Sequence, residues 1–589
     1  MNARKTVLVI FPDEINACIA QFPCLATEAT WLCLTIDALD RCLQLRLPQA
    51  EIPSCLHAAV TFSADEHMHL FSKLQGLEES FIEQRNSFGF HEHAYWNHQH
   101  NMTMLTLLFS AQKTAALAAE NLSHSASLLM PQRMGVGDYH YPGGLLTAIV
   151  KDTLQRAGFQ VETIFLPMSE LMSDYSSTVY SQIPNYWSSE MADEWMQSTH
   201  NVIVSPSGLF YQSDQQKLLE LLQKLGVTSK TWMLAPPFWN VIPDGSGFQR
   251  RISVQLAYES LNSSMQQALM SMVDGMTSAT VVLMRELLGD SMDRLDFFHY
   301  QIQRIKQRHF FQSLTFFGVS HLCMVKPMDA LVVTNLDGGI NGPLFSAARD
   351  NAVPCFLLPH SHVVTHPTEE ECTVITEYWQ PKPSISHRGQ INLTVHMPTE
   401  KYLENPKNLL HVKRNKKVLI LFNGIHRWTS INMSLNFLKN TVANISEICA
   451  KAGVELAYRL KPGDQTPLHA YTQLLNLDPE VCQRVLQEPL DVLMKNTELV
   501  IAIDDPSSAL WEAIELGCAV VLIANRPFIR STLIDQDVLK SHSPEEGLSL
   551  IGQLLSDKDQ LDQMRLLQFS SLHALREMRL VNGAADEGI

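Results

Sequence analysis

The chain has 589 residues, 46% of them apolar and 18% charged, with a formal net charge of −17. That length exceeds one compact core, and the composition excludes a disordered or fibrous chain. The acidic balance argues against a general nucleic-acid binder. The 11 cysteines lack C-x-x-C or zinc-type spacing, which points to reduced thiols in a cytoplasmic protein rather than a disulfide framework.

In chain order, TVLVIF runs straight into Pro12 and Asp13, so a first strand (Val7 to Phe11) is predicted and not a signal peptide. Mixed helical patterns follow. They end in TMLTLLFSAQKTAALAAENL, a run of good helix formers that closes an N-terminal unit of residues 1–123 with no assignable role. Within it, His91, His93, His98 and His100 offer no i, i+4 pair with a third ligand. No metal triad stands out elsewhere, and a metal-independent chemistry is expected.

A second unit, 124–380, opens on the apolar strand SASLLMP. A glycine-rich turn, QRMGVGDYHYPGG, then leads into the helix LLTAIVKDTLQRAG and the strand FQVETIFLP. Further strands fit NVIVSPS, TWMLAPP, DALVVTN and VPCFLLPH, with helical segments between several of them. Such alternation predicts a parallel sheet with helices on its faces. ALMSMVDGMTSATVVLMRELL is interrupted by Asp274 and Glu286, so a buried helix is predicted in place of a membrane span. QIQRIKQRHFF (Gln301 to Phe311) is basic and partly apolar. It is the candidate for peripheral contact with an anionic membrane surface, with a solvated helix as the alternative.

Residues 381–415 are rich in proline and polar side chains and predict a linker. A third unit, 416–589, repeats the pattern. Strands KKVLILFNG, VELAYRLKP, LVIAIDD and AVVLIAN alternate with helices, and a helical region ends the chain. The expected fold class is α/β: two Rossmann-like domains facing across a cleft, of the GT-B type, with an N-terminal extension. In such sheets ligands bind beyond the carboxyl ends of the strands.

Two features of the third unit carry chemistry. LVIAI ends at Asp504 and Asp505, Pro506 stops the ladder, and Ser507 and Ser508 open a helix. Their hydroxyls and the first-turn N–H groups make an anion site, and Glu512 lies one turn on, suited to ribose hydroxyls. In the strand ELAYRLKPG, Arg459 and Lys461 alternate onto one face at the carboxyl edge, as a phosphate clamp would.

The run YRLKPG…EPLDVLMKNTELVIAIDDPSSALWEAIELGCAVVLI resembles the donor-binding half of bacterial surface-polysaccharide glycosyltransferases of the GT-B fold. It is most similar to those that use CMP-activated acidic sugars such as sialic acid and Kdo. Those enzymes carry a His-Pro motif at one strand end and a Ser-Ser pair at a later helix head. Ser507 and Ser508 match the pair, and Lys461-Pro462 stands at the His-Pro position with lysine for histidine. The similarity spans roughly residues 416–530.

The resemblance implies a nucleotide-sugar donor as substrate, no resident cofactor, and a glycan, lipid-linked or protein acceptor. It implies a base in the second unit, in one of two loops. The first contains Gly135, Gly137, Asp138 and His140. The second contains Asp337, Gly338 and Gly339, where Leu336-Asp337-Gly338 keeps one acid of the related sialyltransferases' acidic-acidic-glycine motif. His360 ends the following strand at the cleft edge. Two other functions fit the same pattern: a nucleotide-sugar 2-epimerase, and a catalytically silent nucleotide-sugar-binding scaffold.

Overall fold

A computed structural model gives the fold. It describes residues 5–60, 63–87, 96–122, 128–133, 143–166, 196–197, 201–205, 231–234, 250–252, 262–333, 341–353, 355–357, 414, 417–422, 434–460, 467–503, 508–524 and 538–586. The described strands form three five-stranded sheets, and every pairing in them is parallel. The chain is therefore α/β, with helices on the sheet faces.

The first sheet contains β1 (Thr6–Val9), β2 (Thr30–Cys33), β3 (Ala50–Glu51), β4 (Leu128–Arg133) and β5 (Val161–Leu166), in the order β3-β2-β1-β4-β5. Residues up to 123 were expected to stand apart from those that follow. The pairing of β1 with β4, Thr6 opposite Leu128, joins them in one sheet. Alternation along these strands divides them cleanly. Val7, Val9, Trp31 and Cys33 enter one core, and Leu8, Ile10, Leu32 and Leu34 enter another. Both faces are covered, so the strands read as continuous apolar runs.

The second sheet contains β6 (Val202–Ser205), β7 (Thr231–Leu234), β8 (Arg250–Ile252), β9 (Ala330–Val333) and β10 (Cys355–Leu357), in the order β10-β9-β6-β7-β8. Between β8 and β9 run two long helices, Ser263–Leu288 and Phe298–Val325. The first buries Leu269, Met272, Val273, Met276 and Met284. None of the described helices is long and apolar enough to cross a membrane. The second helix contains the stretch expected at a membrane surface or in solvent. Within it Gln301, Ile305, Arg308, His309 and Phe311 are buried, while Gln303 is exposed and the other residues are half-buried; residues far away in sequence supply polar partners for the buried arginine and histidine. Asn101 accepts from Arg308, and the Asn97 amide lies against His309.

The third sheet contains β11 (Lys417–Phe422), β12 (Glu455–Leu460), β13 (Leu499–Ile503), β14 (Ala519–Ile523) and β15 (Ser541–His542), in the order β12-β11-β13-β14-β15. Val418, Ile420, Leu499, Ile501, Val521 and Ile523 face helices Leu435–Ala452 and Pro544–Ser556. Leu419, Leu421, Val500, Ala502, Val520 and Leu522 face helices Leu490–Lys495 and Ser508–Glu515. This sheet is wound on both sides, as a Rossmann-like unit requires.

One continuous core joins the first and second units, and another joins the first and third. Among the described residues no core cluster joins the second sheet to the third. Of the expected linker only Arg414 is described, and it is fastened to the third unit. Its Nη1 donates to the carbonyls of Thr497 (2.7 Å) and Met494 (3.3 Å), and its Nη2 to that of Leu516.

Candidate functional site

The serine-pair helix, Ser508–Glu515, begins directly beyond the carboxyl end of β13. Its inner face explains why it forms there: Leu510, Trp511, Ala513 and Ile514 are buried against the sheet. Its end is also specified. Gly517 has φ +77°, Cys518 N–H donates to Ala513 O (2.9 Å), and Gly517 N–H donates to Ile514 O (2.8 Å). That is a Schellman motif with glycine at the left-handed position. Glu512 lies four residues after Ser508, on the same helix face, and is half-buried; Glu515 is buried.

The sheet order places this helix at a topological switch point. From β11 the chain moves to β12 on one side, then returns to β13 on the other, so the crevice opens between β11 and β13. The segment that holds Ser507 follows β13, one wall of that crevice. The other two sheets repeat the relationship. Order reverses between β1 and β4 and between β6 and β9. The loop with Gly135, Gly137, Asp138 and His140 follows β4, and the loop with Asp337, Gly338 and Gly339 follows β9. These seven residues, together with His360, Lys461 and Ser507, lie outside the described residues. What the fold fixes is the strand end from which each loop departs.

Arg459 is where alternation put it, on the sheet face that carries helix Ser508–Glu515, opposite Leu421 of β11. Its contacts differ from those of a phosphate clamp. The side chain is 7% exposed, and Nη1 donates to the carbonyls of Val485 and Glu488 (3.0 Å to the latter). It satisfies main-chain acceptors at the C-terminal end of helix Pro479–Gln487. Burial pushes its pKa down, against the pull of Glu488.

A second buried polar group lies in the layer between the first and second sheets. Glu78 is fully buried; its Oε1 accepts from the Asn97 N–H at 3.0 Å. Burial pushes its carboxyl up to about 7, against the pull of Arg85 and Arg308. His309 is held well below its ordinary value by burial and by the two arginines. Arg85 stacks on Trp96, 4.1 Å from the ring centroid. No local spacing signals this cluster, because its members come from three separate segments.

A groove of about 650 Å³ lies between helices His98–Asn121 and Gly143–Arg156, lined by Phe109, Lys113, Glu120 and Arg156 among others. It reaches the C-terminal end of the second helix. Because that helix runs antiparallel to the strands, the groove belongs to the edge opposite the switch point, and ligand chemistry is not assigned to it.

No protein-family model matches the chain, and no curated protein matches it. Solved structures overlap it weakly. A Listeria monocytogenes protein described as a UDP-N-acetylglucosamine 2-epimerase is 12% identical, over 67% of this chain and 98% of its own, at a TM-score of 0.33. MnaA of S. aureus with UDP is 11% identical, over 65% and 96%, at 0.32. The glycosyltransferase SnogD of Streptomyces nogalater is 12% identical, over 66% and 100%, at 0.29. Overlap at this level decides neither fold nor chemistry; the fold rests on the strand pairings, and the site on the switch points.

Proposed function

We propose that the chain is a glycosyltransferase that holds a nucleotide-activated sugar at the β11/β13 switch point, with a CMP-linked acidic sugar as the donor. One observation carries this reading. Ser508, the second serine of the pair singled out as an anion site from sequence, begins a helix that follows the strand beside which a doubly wound sheet opens its binding crevice.

In this reading the helix N–H groups, the hydroxyls of Ser507 and Ser508, and Lys461 meet the phosphate. Glu512 accepts from the ribose. Arg459 acts beneath them by holding the C-terminal end of helix Pro479–Gln487 against β12. The acceptor hydroxyl of a glycan, lipid-linked or protein substrate gives its proton to a base in the loop after β9 or after β4: Asp337, Asp138 or His140. A new anomeric carbon–oxygen bond forms as the bond to the donor phosphate breaks, and the cationic edge stabilises the leaving nucleotide. The chemistry calls for no resident metal or cofactor.

The test is a thermal-shift panel with CMP, CDP, UDP, GDP and ADP, followed by product analysis with the donor whose nucleotide binds best. CMP is expected to stabilise most. Preference for UDP moves the donor class, sugar inverted at C2 establishes the epimerase, and binding without donor consumption establishes the scaffold.

A further inference from the structure

The N-terminal region has no assigned role in binding or chemistry. Two of its side chains nevertheless meet the first turn of a helix in another unit. In each case that helix is the one that follows a strand edge to which the proposed function assigns a substrate.

The first is Asp40, on helix Ile36–Gln44. It is 4% exposed. Its Oδ1 accepts the N–H of Ala470 at 2.9 Å, across 430 residues of sequence, and Gln44 Nε2 holds its Oδ2 at 2.6 Å. Ala470 is the third residue of helix Leu468–Leu475, whose own N-cap position is Pro467 and supplies no side-chain cap. A carboxylate from the first unit thus provides the cap that the third unit's sequence lacks. This helix follows β12, the strand whose carboxyl edge precedes Lys461.

The second is Trp96, 3% exposed. Its Nε1 donates to Ser346 Oγ at 3.2 Å. A Cβ on Gly342 would stand 3.0 Å from Trp96 Cδ1, so the helix Asn341–Asp350 packs on the indole more tightly than most side chains would allow without a shift. Arg85 packs on the ring, and Gln312 Nε2 donates to the Trp96 carbonyl at 3.3 Å. This helix follows β9, after the segment that contains Asp337.

We propose that the first unit is a positioning frame. Asp40 fixes the start of the helix beyond β12, and Trp96 fixes the start of the helix beyond β9, so that the donor and acceptor edges are set from one body. The inference rests on the reading under Proposed function. Asp40 and Trp96 are positioning residues and touch no substrate in it.

The experiment compares Asp40→Ala, Asp40→Asn and Trp96→Phe with the wild type in the full chain. Amide hydrogen exchange at His469 and Ala470 is followed without nucleotide, and CMP and UDP affinity, donor KM and kcat are measured alongside. Asp40→Ala is expected to speed exchange at those amides and weaken nucleotide binding by roughly fivefold or more, the scale of one lost cap. Asp40→Asn keeps a carbonyl oxygen and is expected to restore most of both. Trp96→Phe is expected to lower kcat by about tenfold through misplacement of the acceptor edge, with nucleotide affinity unchanged.

Unchanged exchange in Asp40→Ala overturns the cap. Faster exchange with wild-type affinity and turnover overturns the positioning role and leaves a purely structural contact. A wild type that no nucleotide stabilises overturns the functional reading and the positioning role with it, while the exchange data still show separately whether the cap exists.

Discussion

Glu78 and His309 are joined through one asparagine. The main-chain N–H of Asn97 donates to Glu78 Oε1 at 3.0 Å, and its side-chain Nδ2 lies 3.5 Å from His309 Nδ1. Both residues are buried and both are shifted toward their neutral forms, in opposite senses on the pH axis.

The consequence for stability follows from proton counting. Glu78 titrates near 4.5 when unfolded and near 7 when folded, so its contribution is complete below 4.5 and lost as pH rises through 7. His309 titrates at 6.5 when unfolded and well below when folded, so its contribution is complete above 6.5 and lost as pH falls. Between 4.5 and 6.5 the unfolded chain binds fewer protons at Glu78 and more at His309, so the two slopes oppose each other. Glu78→Gln removes one of them. Relative to the wild type, its stability should then rise with pH by about 1.4 kcal/mol per unit across that window. Urea unfolding at pH 5, 5.5 and 6 checks this; parallel curves for variant and wild type would show that Glu78 is ionised throughout.

A different outcome is expected at Arg459. Because Nη1 is committed to the carbonyls of Val485 and Glu488, Arg459→Met should leave those buried acceptors unsatisfied and cost about 1–3 kcal/mol of stability. Nucleotide affinity should stay at the wild-type value. A variant with native unfolding behaviour but weakened nucleotide binding would return Arg459 to the phosphate site.

The same residue shows how far sequence reaches. Alternation gave its face correctly, since that follows from the two-residue period of a strand. Its partners lie 26 and 29 residues further on, and no local spacing names them. Strands such as VLILF and LVIAI were legible because each is a buried apolar run bounded by a turn. β3 and β15 have two residues each, and β8 is the charged RRI, too short or too polar to show a period. The joining of β1 to β4 was illegible for another reason: helices and more than 110 residues separate them, and pairing at that distance is set by packing. Of the candidate site, the serine-pair helix and its glycine stop were readable. The cap that Asp40 lends to Ala470 was not, because Asp40 looks like any polar residue on an amphipathic helix.

For the serine pair, Ser507→Ala with Ser508→Ala should reduce nucleotide affinity by about tenfold or more, given that hydrogen bonds to a charged group are worth about 1.5–3 kcal/mol. Stability should fall by only about 1 kcal/mol, the value of one N-cap. The helix is retained in any case, since Leu510, Trp511 and Ile514 anchor it and Gly517 closes it. Donor binding like that of the wild type would rule out the serines as a phosphate cradle.

The proposed acceptor base is chosen by its position along the chain. β9 ends at Val333 and borders the β6/β9 switch point of the second sheet. Asp337 follows four residues later, and Gly338 and Gly339 place no side chain in the way of a substrate. A carboxylate at that edge can take the acceptor proton as the donor bond breaks. Asp337→Asn keeps its size and hydrogen-bonding shape but not its basicity. Transfer should therefore fall by roughly 10²-fold or more, the scale of a lost general base. Nucleotide affinity should be unchanged, because the proposed donor site lies at the edge of a different sheet. The measurement is turnover by Asp337→Asn of a donor that the wild type consumes. Undiminished turnover would remove Asp337 from the role and transfer it to Asp138 or His140, whose loop follows β4 at the β1/β4 switch point.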